Sequence, residues 1–410
     1  MRKSVFLRVL LLLALFSATW VCSGAIPVAL DEIETLVSEN KLTEAKGRIE
    51  NLNKGNLDNE GKSFLRYQEA RISYRKKDYS AAITILDDIL AKYSGTPKHA
   101  SSKYLKGYSC FYIEDYETSK ECFGTFFKDH PEHPCAADAC IRFANLSFLD
   151  EDKTIKEKKE IFQQVIDLYP NSSVVFDAKK SLAALSWAES EQEKTLEKKH
   201  QVEQMYKALE KEAQTDKDKG FAALHIAALN LEMERVLKDQ DGDYPINYNL
   251  VIELCNKTLD VAPASEKETR ATAELIKSES IYYSQTPKNA IKAFQDLLKK
   301  YGKEEKCRTQ AAFAQYMLGM VYMKTKDFEK AQESFNKVLS QYEDAPNFKG
   351  NNVQATSLLW LAQMMFEQDR FEESLSYISQ IKEQYSESKE AKMADNLSSL
   401  VESASKGVSK

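Results

Sequence analysis

An all-α fold built from repeated helix pairs is predicted by three features of this sequence. Its 410 residues include only 13 Gly and 9 Pro, so tight turns are few. Lys, Glu, Ala, Leu and Gln, all good helix formers, are abundant. An acidic residue followed by an aromatic recurs at Asp78-Tyr79, Asp115-Tyr116 and Asp327-Phe328, with Arg370-Phe371 as a variant. The length would allow two or three ordinary domains, but the recurrence favours one extended array.

The N-terminus reads as a cleavable secretory signal. Arg2, Lys3 and Arg8 precede the apolar run Val9 to Phe16, and small residues end at Ser23-Gly24-Ala25. The 14 residues from Val9 to Cys22 fall short of the roughly 20 that a spanning helix needs; an uncleaved anchor is the alternative. Thr19-Trp20-Val21 lacks the small residue expected before a lipidated cysteine. Cleavage after Ala25 removes three basic and no acidic residues and takes the formal charge from -6 to -9. That charge opposes nonspecific binding to nucleic acid or anionic lipid. Membrane association is expected only indirectly, or through an uncleaved or lipidated N-terminus.

Cys110, Cys122, Cys135, Cys140, Cys255 and Cys307 remain in the exported chain. An even number permits disulfides, while the apolar helix positions of Cys110 and Cys255 equally fit buried free thiols.

The clearest repeat runs Tyr316-Met317-Leu318-Gly319-Met320-Val321-Tyr322, then Lys326-Asp327-Phe328-Glu329-Lys330-Ala331, then Phe335, Val338 and Leu339. Gly319 and Ala331 are small where two helices would cross, and Tyr322 and Phe335 would fill the space beside them. Partial copies include Ala70, Tyr79, Ala82, Leu86 and Leu90, then Gly107, Cys110, Tyr116, Ser119, Phe123 and Phe127. Phe162, Ile166 and Pro170 close a third copy, and Cys255, Leu259 and Pro263 a later one. Ala290, Phe294 and Leu298 mark another, and Ala362, Phe371, Ser374 and Ile378 the last. A weaker pair spans Leu30 to Leu52, and Lys389 to Leu400 reads as a capping helix.

On these residues the chain resembles the tetratricopeptide repeat family. The resemblance implies a right-handed superhelical solenoid of antiparallel helix pairs. Two departures stand out. Tyr79 to Tyr116 is 37 residues and Phe328 to Phe371 is 43, against about 34 in the family. Late in the second helices, where the family often has Ala, stand Ile89, Phe126, Val165, Val338 and Ile381. With phrases such as Phe126-Phe127-Lys128-Asp129-His130-Pro131, these look most like the exported bacterial members, of the outer-membrane assembly lipoprotein and Tol-Pal coordinator type. The expected organisation is a signal peptide at 1–25, an N-terminal array at 26–187, and a charged, mostly solvated connecting helix at 188–220. A C-terminal array with its capping helix follows at 221–402, and a disordered tail at 403–410.

Chemical motifs are weak. Gly55 to Ser63 mimics a P-loop but has five residues between its glycines and no preceding strand. Asp239, Asp241 and Asp243 alternate as in a calcium loop, yet Tyr244 and Leu250 stand where Gly and Glu are needed. His130, His133, Cys135 and Cys140 gather soft ligands in an order that fits no zinc arrangement, between Pro131 and Pro134, which read as inter-repeat punctuation. H-E-x-x-H and G-x-S-x-G are absent from the sequence. No cofactor, metal or catalytic residue is assigned. Sequons occur at Asn145, Asn171, Asn256 and Asn396.

The resemblance implies that first helices line a concave face, at positions counted from the Gly or Ala anchors. Around Ala70 these are Tyr67, Arg71 and Tyr74; around Gly107, Tyr104, Tyr108, Phe111 and Tyr112. Around Gly319 they are Tyr316, Met320 and Met323; around Ala362, Leu359, Gln363 and Phe366. Tyr and Met supply adaptable contact area with polar handles. The expectation is a non-catalytic, exported scaffold, periplasmic or secreted and possibly outer-membrane-associated, that binds another envelope protein or peptide segment. A glycan-presenting helical domain and a metal-dependent enzyme are the alternatives.

Overall fold

The computed structural model describes residues 28–52, 57–193, 195–240, 242, 245–347 and 352–408. The expected signal peptide lies outside them, as do Asp241 and Asp243 of the acidic turn and Gly55 of the P-loop-like segment. Among the described residues there are nineteen α-helices, one 3-10 turn and no strand.

The chain divides into two compact units between Leu185 and Ser186. The first contains α1 (Val28–Ser38), α2 (Leu42–Leu52), α3 (Asn59–Arg75), α4 (Tyr79–Lys92), α5 (Pro97–Tyr112), α6 (Tyr116–Asp129), α7 (Ala136–Phe148), α8 (Ile155–Leu168) and the first part of α9 (Val174–Glu193). The second contains the end of α9, then α10 (Leu196–Glu212), α11 (Asp216–Gln240), α12 (Tyr248–Val261), α13 (Lys267–Ser284) and α14 (Pro287–Tyr301). It continues with α15 (Arg308–Lys324), α16 (Phe328–Gln341), α17 (Val353–Glu367), α18 (Phe371–Gln384) and α19 (Lys389–Val408). Within each unit helices pack on their chain neighbours, and first helices also touch the next first helix, as α3 touches α5 and α15 touches α17. This is a solenoid of helix pairs.

The acidic-aromatic signature is a turn with a repeated geometry. Asn40, Lys77, Glu114, Lys326 and Asp369 all take left-handed backbone conformations, with φ between 59° and 65°. The next amide then donates to a carbonyl five residues back: Asp78 to Ser73 (2.9 Å), Asp115 to Cys110 (3.0 Å), Asp327 to Tyr322 (3.0 Å) and Arg370 to Met365 (2.8 Å). This closes the end of the first helix as in a Schellman turn. The same residue opens the second helix: Asp78, Asp115 and Asp327 accept from the amides of Ala81, Thr118 and Lys330. Arg370 lacks this cap and instead pairs with Glu373 at 2.6 Å.

Counting from these caps, the fourth residue is small, Ala82, Ser119, Ala331 or Ser374, and each is buried. The serines hydrogen-bond across the crossing, Ser119 to the Gly107 carbonyl (2.8 Å) and Ser374 to the Ala362 carbonyl (2.7 Å). The eighth and eleventh residues, Leu86 and Ile89, Phe123 and Phe126, Phe335 and Val338, Ile378 and Ile381, are at most 2% exposed. The bulky late residues that depart from the family pattern therefore fill each unit's core.

Two expectations are corrected. Residues 188–220 are not one solvated helix: Thr195 and Thr215 start new helices by accepting from the Lys198 and Asp218 amides. Val202, Tyr206 and Leu209 are at most 2% exposed, and α10 packs on α11, so their apolar stripe makes a packed pair. The C-terminal segment also stays helical to Val408, where a disordered tail was expected from residue 403.

A methyl group at Gly319 would stand 2.6 Å from Phe335 Cε1, whereas at exposed Gly47 in α2 it would meet nothing within 4 Å. Gly319→Ala is therefore expected to destabilise by about 1–3 kcal/mol through overpacking. Gly47→Ala should stabilise by about 0.5–1 kcal/mol through helix propensity. Urea unfolding followed by circular dichroism measures both; equal effects would contradict the close crossing.

Candidate interaction surface

The expected surface residues occupy the positions three before, one after and four after each anchor, with Tyr112 five after Gly107, and the two units treat the first two of these positions differently. In the first unit Tyr67, Arg71, Tyr74, Tyr104 and Tyr108 are all at most 9% exposed. Their side chains are consumed inside the array, which corrects the expectation that they offer free contact area. The Tyr104 and Tyr108 hydroxyls both donate to Asp138 Oδ2 on α7, at 2.7 and 2.6 Å. Arg142, one turn further on, donates from Nε to the Tyr108 hydroxyl at 3.0 Å and lies 5.4 Å from its ring centroid. Burial and the Asp138 carboxylate raise the Tyr108 pKa far above the ordinary range. Burial works against the Arg142 charge, but Tyr108 and Asp138 outweigh it and raise its pKa. Burial also pushes Tyr67 up to about 12. Tyr112 is half-buried and stacks on Tyr79 at 4.8 Å, with Tyr74 edge-on to both. Phe111 is 41% exposed and leans on Tyr116.

Asp138 and Arg142 escaped the sequence reading, although each lies 34 residues after Tyr104 and Tyr108, one repeat length on. The signal was hidden because Ile141 stands where the other copies have Gly or Ala.

In the second unit the equivalent positions stay open. Tyr316, Met320 and Met323 on α15, and Leu359 and Phe366 on α17, are half-buried, and Gln363 is exposed. Tyr316 packs against Phe313 and Phe335, at 5.9 and 6.0 Å. Met320 and Met323 rest on the core cluster that includes Leu318 and Val321, and Leu359 and Phe366 on that of Leu358 and Ile378.

The His130 to Cys140 segment is packing. Both histidine rings lie on Phe126, at 5.6 and 5.0 Å, and His133 Nδ1 accepts from the Cys135 amide at 3.1 Å. Burial pushes the Cys135 and Cys140 thiols up to about 12. Cys110, Cys122, Cys135, Cys140, Cys255 and Cys307 are all buried and unpaired. Among the described residues no three His, Cys, Asp or Glu side chains gather as a metal site would need.

Comparison with known proteins supports the repeat fold. Residues 312–345 and 356–388, which contain the open face of α15 and α17, each match a model of the tetratricopeptide repeat. These two segments are tetratricopeptide repeats. Residues 60–209 match the model of an outer membrane lipoprotein family, YfiO. The chain's fold is similar to the apo form of the quorum sensor NprR from B. thuringiensis, with 14% identity and a TM-score of 0.53 over 87% of this chain and 98% of that one. A tetratricopeptide repeat protein from Parabacteroides merdae aligns with 11% identity and a TM-score of 0.46 over 74% and 98%. At these identities the likeness concerns the fold alone. Comparison with curated proteins gives no match.

Two outcomes are expected of the first unit. Asp138→Asn weakens the acceptor shared by two tyrosines and the partner of Arg142, and should cost about 1.5–3 kcal/mol in urea unfolding. Burial, then His130, lowers the His133 pKa from its ordinary 6.5. The unfolded chain therefore takes up this proton first, so the neutral ring's contribution is complete above pH ~6.5 and is lost as pH falls through the folded pKa. The urea midpoint should drop on acidification from pH ~7.5 to ~5.5, and His133→Gln should flatten that slope.

Proposed function

We propose that this protein is a non-catalytic scaffold of the cell envelope that holds a segment of another envelope protein across the first helices α15 and α17. Tetratricopeptide repeats and a lipoprotein-type segment support a protein-interaction scaffold. One observation carries the placement: the positions three before and one after each anchor, which the first unit buries, are half-buried or exposed in the second, in two adjacent repeats. On each helix the three positions fall at i, i+4 and i+7, one continuous stripe. Each stripe runs about 10 Å at 1.5 Å per residue, long enough for about three residues of an extended segment.

Met320 and Met323 adapt to irregular apolar partners, Tyr316 and Phe366 supply rigid area, and Gln363 offers amide donors and an acceptor to a peptide backbone. The envelope assignment is supported by the outer membrane lipoprotein family match and by the leader-like N-terminus. Among the described residues no helix is long and apolar enough to cross a membrane.

The test is in-cell photo-crosslinking from positions 320 and 363, with exposed Lys330 on α16 as control, followed by mass spectrometry. One envelope partner should be captured from 320 and 363 only, and Met320→Glu with Met323→Glu should abolish its capture from 363. Equal capture from 330, or none at all, would sink the reading.

A further inference from the structure

In the first unit, the turn from α5 to α6 and the turn from α7 to α8 carry apolar side chains that the packing leaves uncovered. Among the described residues ten large apolar side chains are exposed, and five of them, Phe111, Ile113, Tyr116, Phe148 and Leu149, lie in or beside these two turns, each between 41% and 60% exposed. Scattered singly such residues are ordinary, but gathered they mark an interaction site. Phe111 lies 5.7 Å from Tyr116 and 5.8 Å from Tyr112, which in turn stacks on Tyr79. Lys120, one turn into α6, reaches Glu117 at 2.9 Å and Asp150 at 3.5 Å, so the two turns lie side by side. The rim of this patch is acidic: residues 111–117 and 148–156 hold six carboxylates against Lys153 and Lys156. Lys153 is spent on Asp150 at 3.3 Å, and Lys158 lies over the Phe148 ring at 5.6 Å. Glu114, Glu151 and Asp152 are exposed and make no ion pair among the described residues.

We propose that this turn edge seats a basic amphipathic helix of another protein, its apolar stripe on Phe111, Ile113, Tyr116 and Leu149 and its flanking lysines or arginines on Glu114, Glu151 and Asp152. Charge complementarity selects this occupant. An anionic membrane surface would be repelled by the acidic rim, and a second copy of this chain, with a formal charge of -6, would bring more negative charge to it. A helix with apolar residues at i, i+3 or i+4, and i+7 and cations on either flank presents the matching pattern. Its length also fits. Neighbouring helices of the array stand about 8–10 Å apart, and a helix of three turns, about 16 Å long, reaches from one turn to the next. This edge belongs to the first unit and does not depend on the reading proposed for α15 and α17.

The test uses the full chain and a fluorescently labelled helical peptide of leucines and lysines at amphipathic spacing, followed by anisotropy; a leucine-glutamate peptide of the same pattern is the comparison. The lysine peptide should bind, more weakly as salt is added, and the glutamate peptide should not. Ile113→Ser with Leu149→Ser should lower the affinity about tenfold, and Glu151→Lys with Asp152→Lys should lower it similarly and flatten the salt dependence. Leu400→Ser, at an exposed leucine of α19, should leave it unchanged. These side chains are exposed, and thermal melts confirm that each variant is folded. No binding, equal binding of both peptides, or an equal loss in Leu400→Ser overturns the proposal. Sedimentation with phosphatidylglycerol vesicles that Ile113→Ser with Leu149→Ser abolishes would overturn it in favour of a membrane surface, and a dimer in analytical ultracentrifugation that the same variant dissociates, in favour of a second copy.

Discussion

The close crossing of two helices at a residue without bulk is the constraint on which the rest of this structure depends. Gly107 and Gly319 admit the Phe123 and Phe335 rings at distances where any side chain would collide. Ala82 and Ala331, or the serines that replace them, let the second helix approach from its own side. The turn enforces the same geometry from the end of the pair, because a left-handed residue and a cap shared by both helices set their angle. Lys77, Glu114, Lys326 and Asp369 carry this conformation without glycine, a strain of roughly 1–2 kcal/mol each. The helix-end hydrogen bonds and the buried aromatic or aliphatic pair beneath each turn offset it.

Once the pairs are set, the exposed face of each first helix is decided by what the next first helix brings to it. In the first unit the next helix brings Asp138 and Arg142, and the tyrosines before them turn into a buried polar network. Around Arg71 the neighbouring α1 brings Ser38 and Glu34, at 3.3 and 3.6 Å. In the second unit the corresponding positions are Tyr316, Met320, Met323, Leu359, Gln363 and Phe366, where Gln363 donates to Glu367 of its own helix at 3.1 Å and the rest stay half-buried. The same repeat position thus serves as internal glue in one unit and as a candidate contact surface in the other.

The helix pairs, their caps and their core residues could be read in advance because they follow local rules. Asp before an aromatic marks a cap, and Gly or Ala followed by Tyr marks a crossing. The segment from 188 to 220 was harder, since its high charge masks a stripe of Val202, Tyr206 and Leu209 that only the packed partner α11 explains. The tail beyond residue 403 was misread for a related reason: small polar residues carry little helix signal of their own, yet they prolong a helix already nucleated on Ala391, Ala394 and Val401.

The sequence by itself determined the all-α repeat architecture, the turns and the identity of the residues at each crossing, because these depend on neighbours within one pair. Only the tertiary structure decided which of the predicted surface residues are free. Exposure of Tyr108 or Met320 depends on a side chain about one repeat away, and a spacing that varies from 34 to 43 residues hides that partner from any local pattern. Burial also decided between packing and ligation: the His133 ring lies against Phe126 and accepts from the Cys135 amide, while the Cys135 thiol is buried.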